Sequence, residues 1–403
     1  MERNLQMSLY DCIIDMYQNS SDEWNYYGLN MSVPFNCTGA KEFIKQYFEQ
    51  GAKKRVILPV FDEINTMRIM HTISAYFIGL LLKKNMGQNL NIKCSNSEDY
   101  EFSYLWFLVC LYHDMGYAVE NDWKYKFIYR KQSDKFLDMY PHFRRKMCRQ
   151  GYEYKDLGLV FVAPQVYRTY FSTERNGERN RENDEGIVFG NGIRIEKSMY
   201  SRKTVLNYLE YCKMTEEIRH YDHGIVGGFW LYDSLMKNYY KMYVQERKFD
   251  RNIEFNNFKV RGYWYFSEDQ WRIFAYLADC IISHNIWPAS DETYEIYKKC
   301  DLNQLIEPYF KKIAFRDNPI LFILAIADTI EPIKLYSEVP HMQEVDIWRG
   351  IDMLFQRNSV IIKLLDDRLK FERLENKIKG LENWMDVDVS LYNCDKKIII
   401  EYN

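Results

Sequence analysis

The sequence has no large excess of charge of either sign. Its 54 Lys and Arg residues nearly balance its 57 Asp and Glu residues, which leaves a formal net charge of −3. A domain that binds long nucleic acid through its phosphates usually carries a clear positive excess. The balance therefore excludes a global electrostatic footprint for nucleic acid. A local basic groove stays open, so nucleic acid is a partner that the charge does not indicate.

The sequence also lacks closely spaced cysteines and long apolar runs. Its nine cysteines are scattered singly, which argues against a disulfide framework and against a Cys-based zinc site. The longest aliphatic and aromatic run covers only residues 75–82, whereas a membrane span needs roughly 20 residues. The N-terminal residues are charged and amphipathic, unlike a signal peptide. We therefore expect a soluble, cytoplasmic protein with no membrane partner.

Apolar residues are abundant and follow a helical period. Hydrophobic residues make up 47% of the chain and aromatic residues 17%, which suffices for a packed core and excludes global disorder. Residues spaced for one face of a helix predict a mainly α protein. The predicted helices cover residues 64–86, 102–115, 222–245, 268–287 and 318–332. Asn318-Pro319 and Pro332 are the start and stop signals of the last one.

Two regions depart from this helical pattern. Residues 172–197 are polar, rich in charge and contain glycine, so they predict a mobile loop and a short extended piece within an insertion at about 120–215. After about residue 343, β-branched and alternating runs predict strands in 359–367, 387–393 and 396–403, with a charged amphipathic helix in 368–384. We predict three parts: an N-terminal helical extension (1–55), a helical domain (56–343) and a small C-terminal α/β appendage (344–403).

Each of the five predicted helices contributes a histidine or an aspartate. In chain order these residues are His71, His113 with Asp114, His223, His284 and Asp328. Buried imidazoles and carboxylates are costly unless they are paired or bound to a metal, and together they suit Zn, Fe, Mn, Ni or Co. Neighbouring residues on a helix point about 100° apart, which allows His113 to bind one ion while Asp114 bridges to a second.

This order of residues resembles the HD-domain superfamily of metal-dependent phosphohydrolases. It is similar in particular to the two-metal branch, whose pattern is His, His-Asp, His, His and Asp. The segments HTISAYFIG, HDMGY, DHGIVGG and ADTIEP carry the resemblance, which covers roughly residues 55–340 apart from the insertion. The resemblance implies an HD-type helical bundle with two divalent transition metal ions. It assigns one ion to His71, His113, Asp114 and Asp328, and the other ion to Asp114, His223 and His284.

Two features depart from the family pattern. Many members have Lys after the HD-x-Gly turn, where this chain has Tyr117, so a phosphate-binding lysine at that position is absent. The stretch between Asp114 and His223 is also longer than in compact members. His220 and Asp222 stay open as alternatives to His223, because His220 and His223 share a helical face.

Glycines follow His223 at positions 224, 227 and 228. Their spacing does not match a phosphate-binding loop. We therefore predict that they let helices approach closely.

The resemblance implies a metal-dependent phosphohydrolase or phosphodiesterase. Metal-bound hydroxide would attack a phosphate ester or anhydride of a phosphorylated small molecule or nucleotide. The catalytic Asp114, or another carboxylate near it, would orient the water. Arg68, Arg219 and Lys334 are candidate substrate-binding residues, with solvated salt bridges as their alternative role. A di-iron oxygenase of the HD type and a non-catalytic nucleotide-sensing or regulatory module stay open as other functions. A homo-oligomer stays open as well.

Overall fold

A computed structural model describes residues 7–19, 39, 42–44, 66–94, 99–117, 187–195, 199–200, 204–205, 207–208, 211–212, 222–254, 257–260, 264–286 and 288–402. The sequence-based predictions for Arg219 and His220 lie outside these ranges, as do those for most of the 120–215 insertion.

Most of the described elements are helices. They are α1 (Leu9–Asn19), α2 (Thr66–Met86), α3 (Phe102–His113), α4 (His223–Arg247), α5 (Glu268–Ser283), α6 (Tyr294–Lys299), α7 (Pro319–Ile330), α8 (Pro332–Tyr336), α9 (Glu344–Arg349), α10 (Phe371–Ile378) and α11 (Leu381–Trp384). A mainly α fold is therefore confirmed. Within the described residues, no helix combines the length and apolar character that crossing a membrane requires.

The strands form small antiparallel sheets. They are β1 (Ile187–Val188), β2 (Arg194–Ile195), β3 (Asn257–Val260), β4 (Trp264–Ser267), β5 (Ile351–Phe355), β6 (Ser359–Leu364), β7 (Val387–Tyr392) and β8 (Lys397–Tyr402). The pairs β1–β2 and β3–β4 are two-stranded, and the C-terminal strands form one sheet in the order β5-β6-β8-β7.

The chain divides into two compact units. The first contains Met1–Leu90, Glu101–Cys110 and Lys311–Asn403, and the second contains Asn91–Tyr100 and Leu111–Phe310. The boundary falls within α3, so that His113 belongs to the second unit.

The core of the first unit is built around α7, in which every residue is buried. The helix begins where predicted: the Asn318 side chain accepts a hydrogen bond from the backbone N–H of Leu321, and Pro319 occupies the first turn, where its missing N–H has no cost. Glu331 ends α7 in an extended conformation and is also the N-cap of α8. The aromatic rings of Phe322 and Tyr402 lie 5.8 Å apart, which places β8 of the C-terminal sheet against α7.

The sheet of the first unit confirms the predicted strands. The register pairs Val360 with Ile400 and Ile400 with Val389. Alternate side chains of β6 and β8 point into the core because side chains in a strand alternate between the two faces. Val360, Ile362, Ile398 and Ile400 are fully buried.

The second unit is organised by α4 and α5, which pack side by side and are connected through the β3–β4 hairpin. A Cβ atom on Gly228 of α4 would lie 2.6 Å from the carbonyl oxygen of Ala278 on α5. Only glycine allows this approach, which confirms the prediction that glycines after His223 bring helices close together.

Candidate metal sites

Three predicted ligands meet at one buried point of the second unit. Asp114, His223 and His284 are all buried, and each offers a ligand atom within 4.8 Å of the others. They come from three separate elements: Asp114 follows the last residue of α3, His223 begins α4, and His284 is the C-cap of α5. The ends of helices therefore deliver the side chains to this point.

Two imidazoles face the same oxygen of Asp114. Its Oδ1 atom lies 3.5 Å from His113 Nε2 and 3.6 Å from His223 Nε2. These separations exceed the usual N–H···O range. Two ligand atoms that are each about 2.1 Å from one metal ion lie about 3.0–3.5 Å apart. The spacing therefore fits atoms arranged around an ion better than atoms bonded directly.

The ring of His284 is oriented by the backbone. Its Nδ1 lies 2.6 Å from the carbonyl oxygen of Ile281. A carbonyl oxygen only accepts hydrogen bonds, so Nδ1 donates and Nε2 carries the lone pair. A hydrogen bond from the second ring nitrogen to a carbonyl is a common way to orient a metal-binding histidine.

Asp222, the alternative to His223, accepts hydrogen bonds through both of its carboxylate oxygens. Its Oδ1 accepts from the backbone N–H of Ile225 at 2.9 Å, as an N-cap does. Its Oδ2 accepts from Asn285 Nδ2 at 3.3 Å. His223 is the residue placed beside Asp114, and Tyr117 stacks on its ring with centroids 3.8 Å apart. Sequence reasoning missed Asn285 and the stacking role of Tyr117, because neither follows from residue order.

The turn after Asp114 requires a glycine. A Cβ atom on Gly116 would lie 2.0 Å from the carbonyl oxygen of His223. A Cβ on Gly227 would lie 2.1 Å from the carbonyl oxygen of Tyr112. The end of α3 and the start of α4 therefore approach at backbone distance, and this approach brings His223 to Asp114.

In the first unit, His71 lies between two carboxylates. Its Nε2 is 3.0 Å from Asp328 Oδ1, and its Nδ1 is 2.6 Å from Glu331 Oε2. Glu331 accepts a hydrogen bond from Nδ1–H, which leaves Nε2 directed at Asp328. Two electron-rich atoms at this distance repel each other unless a positive charge lies between them. A proton or a metal ion meets that requirement.

Glu331 was not predicted as part of the site. The side chain is 0% exposed, and it accepts from the backbone N–H groups of Ile333 at 2.8 Å and Lys334 at 3.0 Å. The signal in the sequence is the Glu-Pro pair after α7, which is typical of an N-cap followed by Pro at N1. That signal indicates a cap and says nothing of His71.

The predicted substrate-binding residues have different surroundings. Lys334 Nζ lies 3.1 Å from Asp328 Oδ1, the oxygen that also faces His71. Arg68 is half-buried on α2, one turn before His71, and its role stays a prediction.

Burial raises the pKa of the Cys110 thiol well above its usual range, and the nearby Asp328 carboxylate adds to this effect. This Cys is fully buried, as expected of a core residue.

These buried groups of imidazoles and carboxylates have the composition and spacing of transition-metal ligands. Comparisons with known proteins found no matching family model, no matching curated protein and no matching solved structure.

Proposed function

We propose that this protein is a metal-dependent phosphohydrolase of the HD type, acting on a phosphate ester or anhydride of a nucleotide-type substrate. The observation that carries the proposal is the meeting of Asp114, His223 and His284 within 4.8 Å at a buried point. These residues are distant in the chain, and their order follows the two-metal HD pattern. Buried histidines seldom gather around a carboxylate without a chemical reason.

The proposed ligands are those that the residue order assigns. Within the second unit Asp114, His223 and His284 would hold one ion, and within the first unit His71 and Asp328 would hold another. Bound divalent ions would polarise a phosphoryl group. They would also lower the pKa of bound water, so that hydroxide is available at neutral pH.

The chain's own residues would supply orientation and charge. Asp114 would accept a hydrogen bond from the attacking water and fix its direction. Lys334 would offer its ammonium group to a substrate phosphate, as an alternative to its present contact with Asp328. Tyr117, at the position of the family's lysine, holds the ring of His223 by stacking and has no positive charge to offer. This difference predicts that Lys334, and no residue at position 117, supplies the positive charge that binds phosphate.

The test is metal content and hydrolysis in a matched set of variants. The wild type and the double variant His113→Ala/Asp114→Ala are purified without chelator, and metals are counted by elemental analysis. The control is His341→Ala/Asp346→Ala, which removes the same residue types at positions that are not buried. Hydrolysis is followed with bis(p-nitrophenyl) phosphate and a panel of nucleotides.

We expect about two ions per chain and phosphate release in the wild type and the control, and neither in the site variant. Absence of metal from the wild type after reloading would overturn the proposal. Iron with substrate-dependent oxygen uptake would overturn hydrolysis in favour of oxygenase chemistry.

A further inference from the structure

We infer that Glu331 is a positioning residue for metal binding, acting through the imidazole of His71. The inference rests on the proposed function, because it takes His71 as a metal ligand. Glu331 contacts neither the substrate nor the ion in this role. It sets the proton position and the orientation of a ring that does.

Glu331 is held in place by several donors. Its Oε1 accepts from Ile333 N–H at 2.8 Å, and its Oε2 accepts from Lys334 N–H at 3.0 Å and from His71 Nδ1 at 2.6 Å. The carboxylate is fully buried, so water does not compete for these bonds. A buried carboxylate with three fixed donors is a rigid reference point for the ring.

The bond to Glu331 determines which ring nitrogen of His71 is available to the ion. With Nδ1 donating to Glu331, Nε2 is the nitrogen directed at Asp328, and in the proposed site its lone pair would face the ion. A carboxylate partner also makes an imidazole a stronger ligand, and loss of such partners typically weakens metal binding about 10–100-fold. Through one contact, Glu331 therefore sets the orientation, the tautomer and the donor strength of the His71 ring.

The second unit provides an internal comparison. His284 is oriented by a neutral backbone carbonyl, that of Ile281, whereas His71 is oriented by a charged carboxylate. Removing the charge of Glu331 should therefore weaken the binding of the ion at His71. The affinity for the ion held by Asp114, His223 and His284 should stay unchanged. A general loss of structure would weaken the binding of both ions equally.

Glu331→Gln is the first variant. Glutamine keeps the size of the side chain but has one acceptor oxygen, so either Ile333 N–H or the pair Lys334 N–H and His71 loses its acceptor. The matched control is Asp346→Asn, which makes the same chemical change at the capping box of α9. Binding of Mn²⁺ is measured from the electron paramagnetic resonance signal of the unbound ion.

We expect two Mn²⁺ ions in the wild type and in the control. In Glu331→Gln, one ion should bind about 10–100-fold more weakly and the other with unchanged affinity. In a His71→Gln background, adding Glu331→Gln should cause no further loss, because an effect transmitted through His71 disappears with His71. Additive losses in the double variant would overturn the inference.

A measurement on the unsubstituted protein covers the case in which Glu331→Gln does not fold. With ¹⁵N-labelled histidine and His71→Gln for assignment, the metal-free wild type should show His71 protonated at Nδ1. A proton on Nε2 alone would overturn the inference. If the wild type binds no Mn²⁺, the proposed function itself fails; if it binds two and Glu331→Gln binds both with equal strength, only the role of Glu331 fails.

Discussion

Gly116→Ala should separate His223 from Asp114 without removing any ligand. The added Cβ would lie 2.0 Å from the carbonyl oxygen of His223, whereas ordinary contacts begin at 3.4 Å. The backbone of His223 must therefore retreat by about 1.4 Å, which is several times the ~0.2 Å within which ligand distances must hold. The neighbour is backbone at the first residue of α4, so a change of rotamer cannot relieve the overlap.

The expected result is loss of the ion held by Asp114, His223 and His284, with a moderate loss of stability. Overpacking of this kind costs about 1–3 kcal/mol. Metal content is measured by elemental analysis, and the free energy of unfolding by urea titration of the metal-free protein. Using metal-free protein keeps the stability contributed by bound metal out of the comparison.

The control is Gly192→Ala in the same unit. Gly192 has a φ of +90° and no atom within 4 Å of an added Cβ, so alanine there strains the backbone by about 1–2 kcal/mol and overlaps nothing. This variant should lose similar stability and keep its metal. Wild-type metal affinity in Gly116→Ala would refute the argument that the glycine contact brings His223 to Asp114.

Two further predictions concern the first unit. Lys334→Met removes the ammonium group that lies 3.1 Å from Asp328. Under the proposed function it should raise the KM for a phosphate substrate about tenfold while metal stays bound, because a charge-assisted hydrogen bond is lost. An unchanged KM in steady-state assays would contradict this prediction. Trp348→Phe removes the indole N–H that donates to buried Ser74 Oγ at 3.0 Å and should cost about 1–3 kcal/mol in urea unfolding, part of which Ser74→Ala should restore.

The helices could be predicted because periodicity and end signals agree. The pattern in 318–332 has Asn and Pro at its start and Pro at its end, and α7 follows these signals closely. The start of α4 is harder to read: His223 and Asp222 are neighbours there, and both are able to bind metal. Asp222 caps the helix through the bond from Ile225, whereas His223 lies beside Asp114, and both contacts depend on backbone angles that the residue order does not state.

The strand β5 could not be predicted from its own residues. Its sequence IDMLF has no run of β-branched residues and is too short to show a period. It becomes a strand because β6 offers its edge, with Met353 opposite Ile362. Pairing with a distant partner therefore decides this element, in contrast to β8, whose β-branched run indicates a strand on its own.

Glu331 shows why the surroundings of a site are harder to predict than its ligands. Asp328 is conspicuous in the sequence because it is an acid within an apolar helix. Glu331 lies at a helix end before a proline, where a cap explains it fully. Its bond to His71 arises where one helix ends and the next begins, with Glu331 extended between them and its capping carboxylate in contact with α2. Seven residues, 328–334, thereby supply a proposed ligand, the carboxylate that orients His71 and the ammonium of Lys334. Substitutions in this segment should therefore change metal affinity even where every ligand is kept.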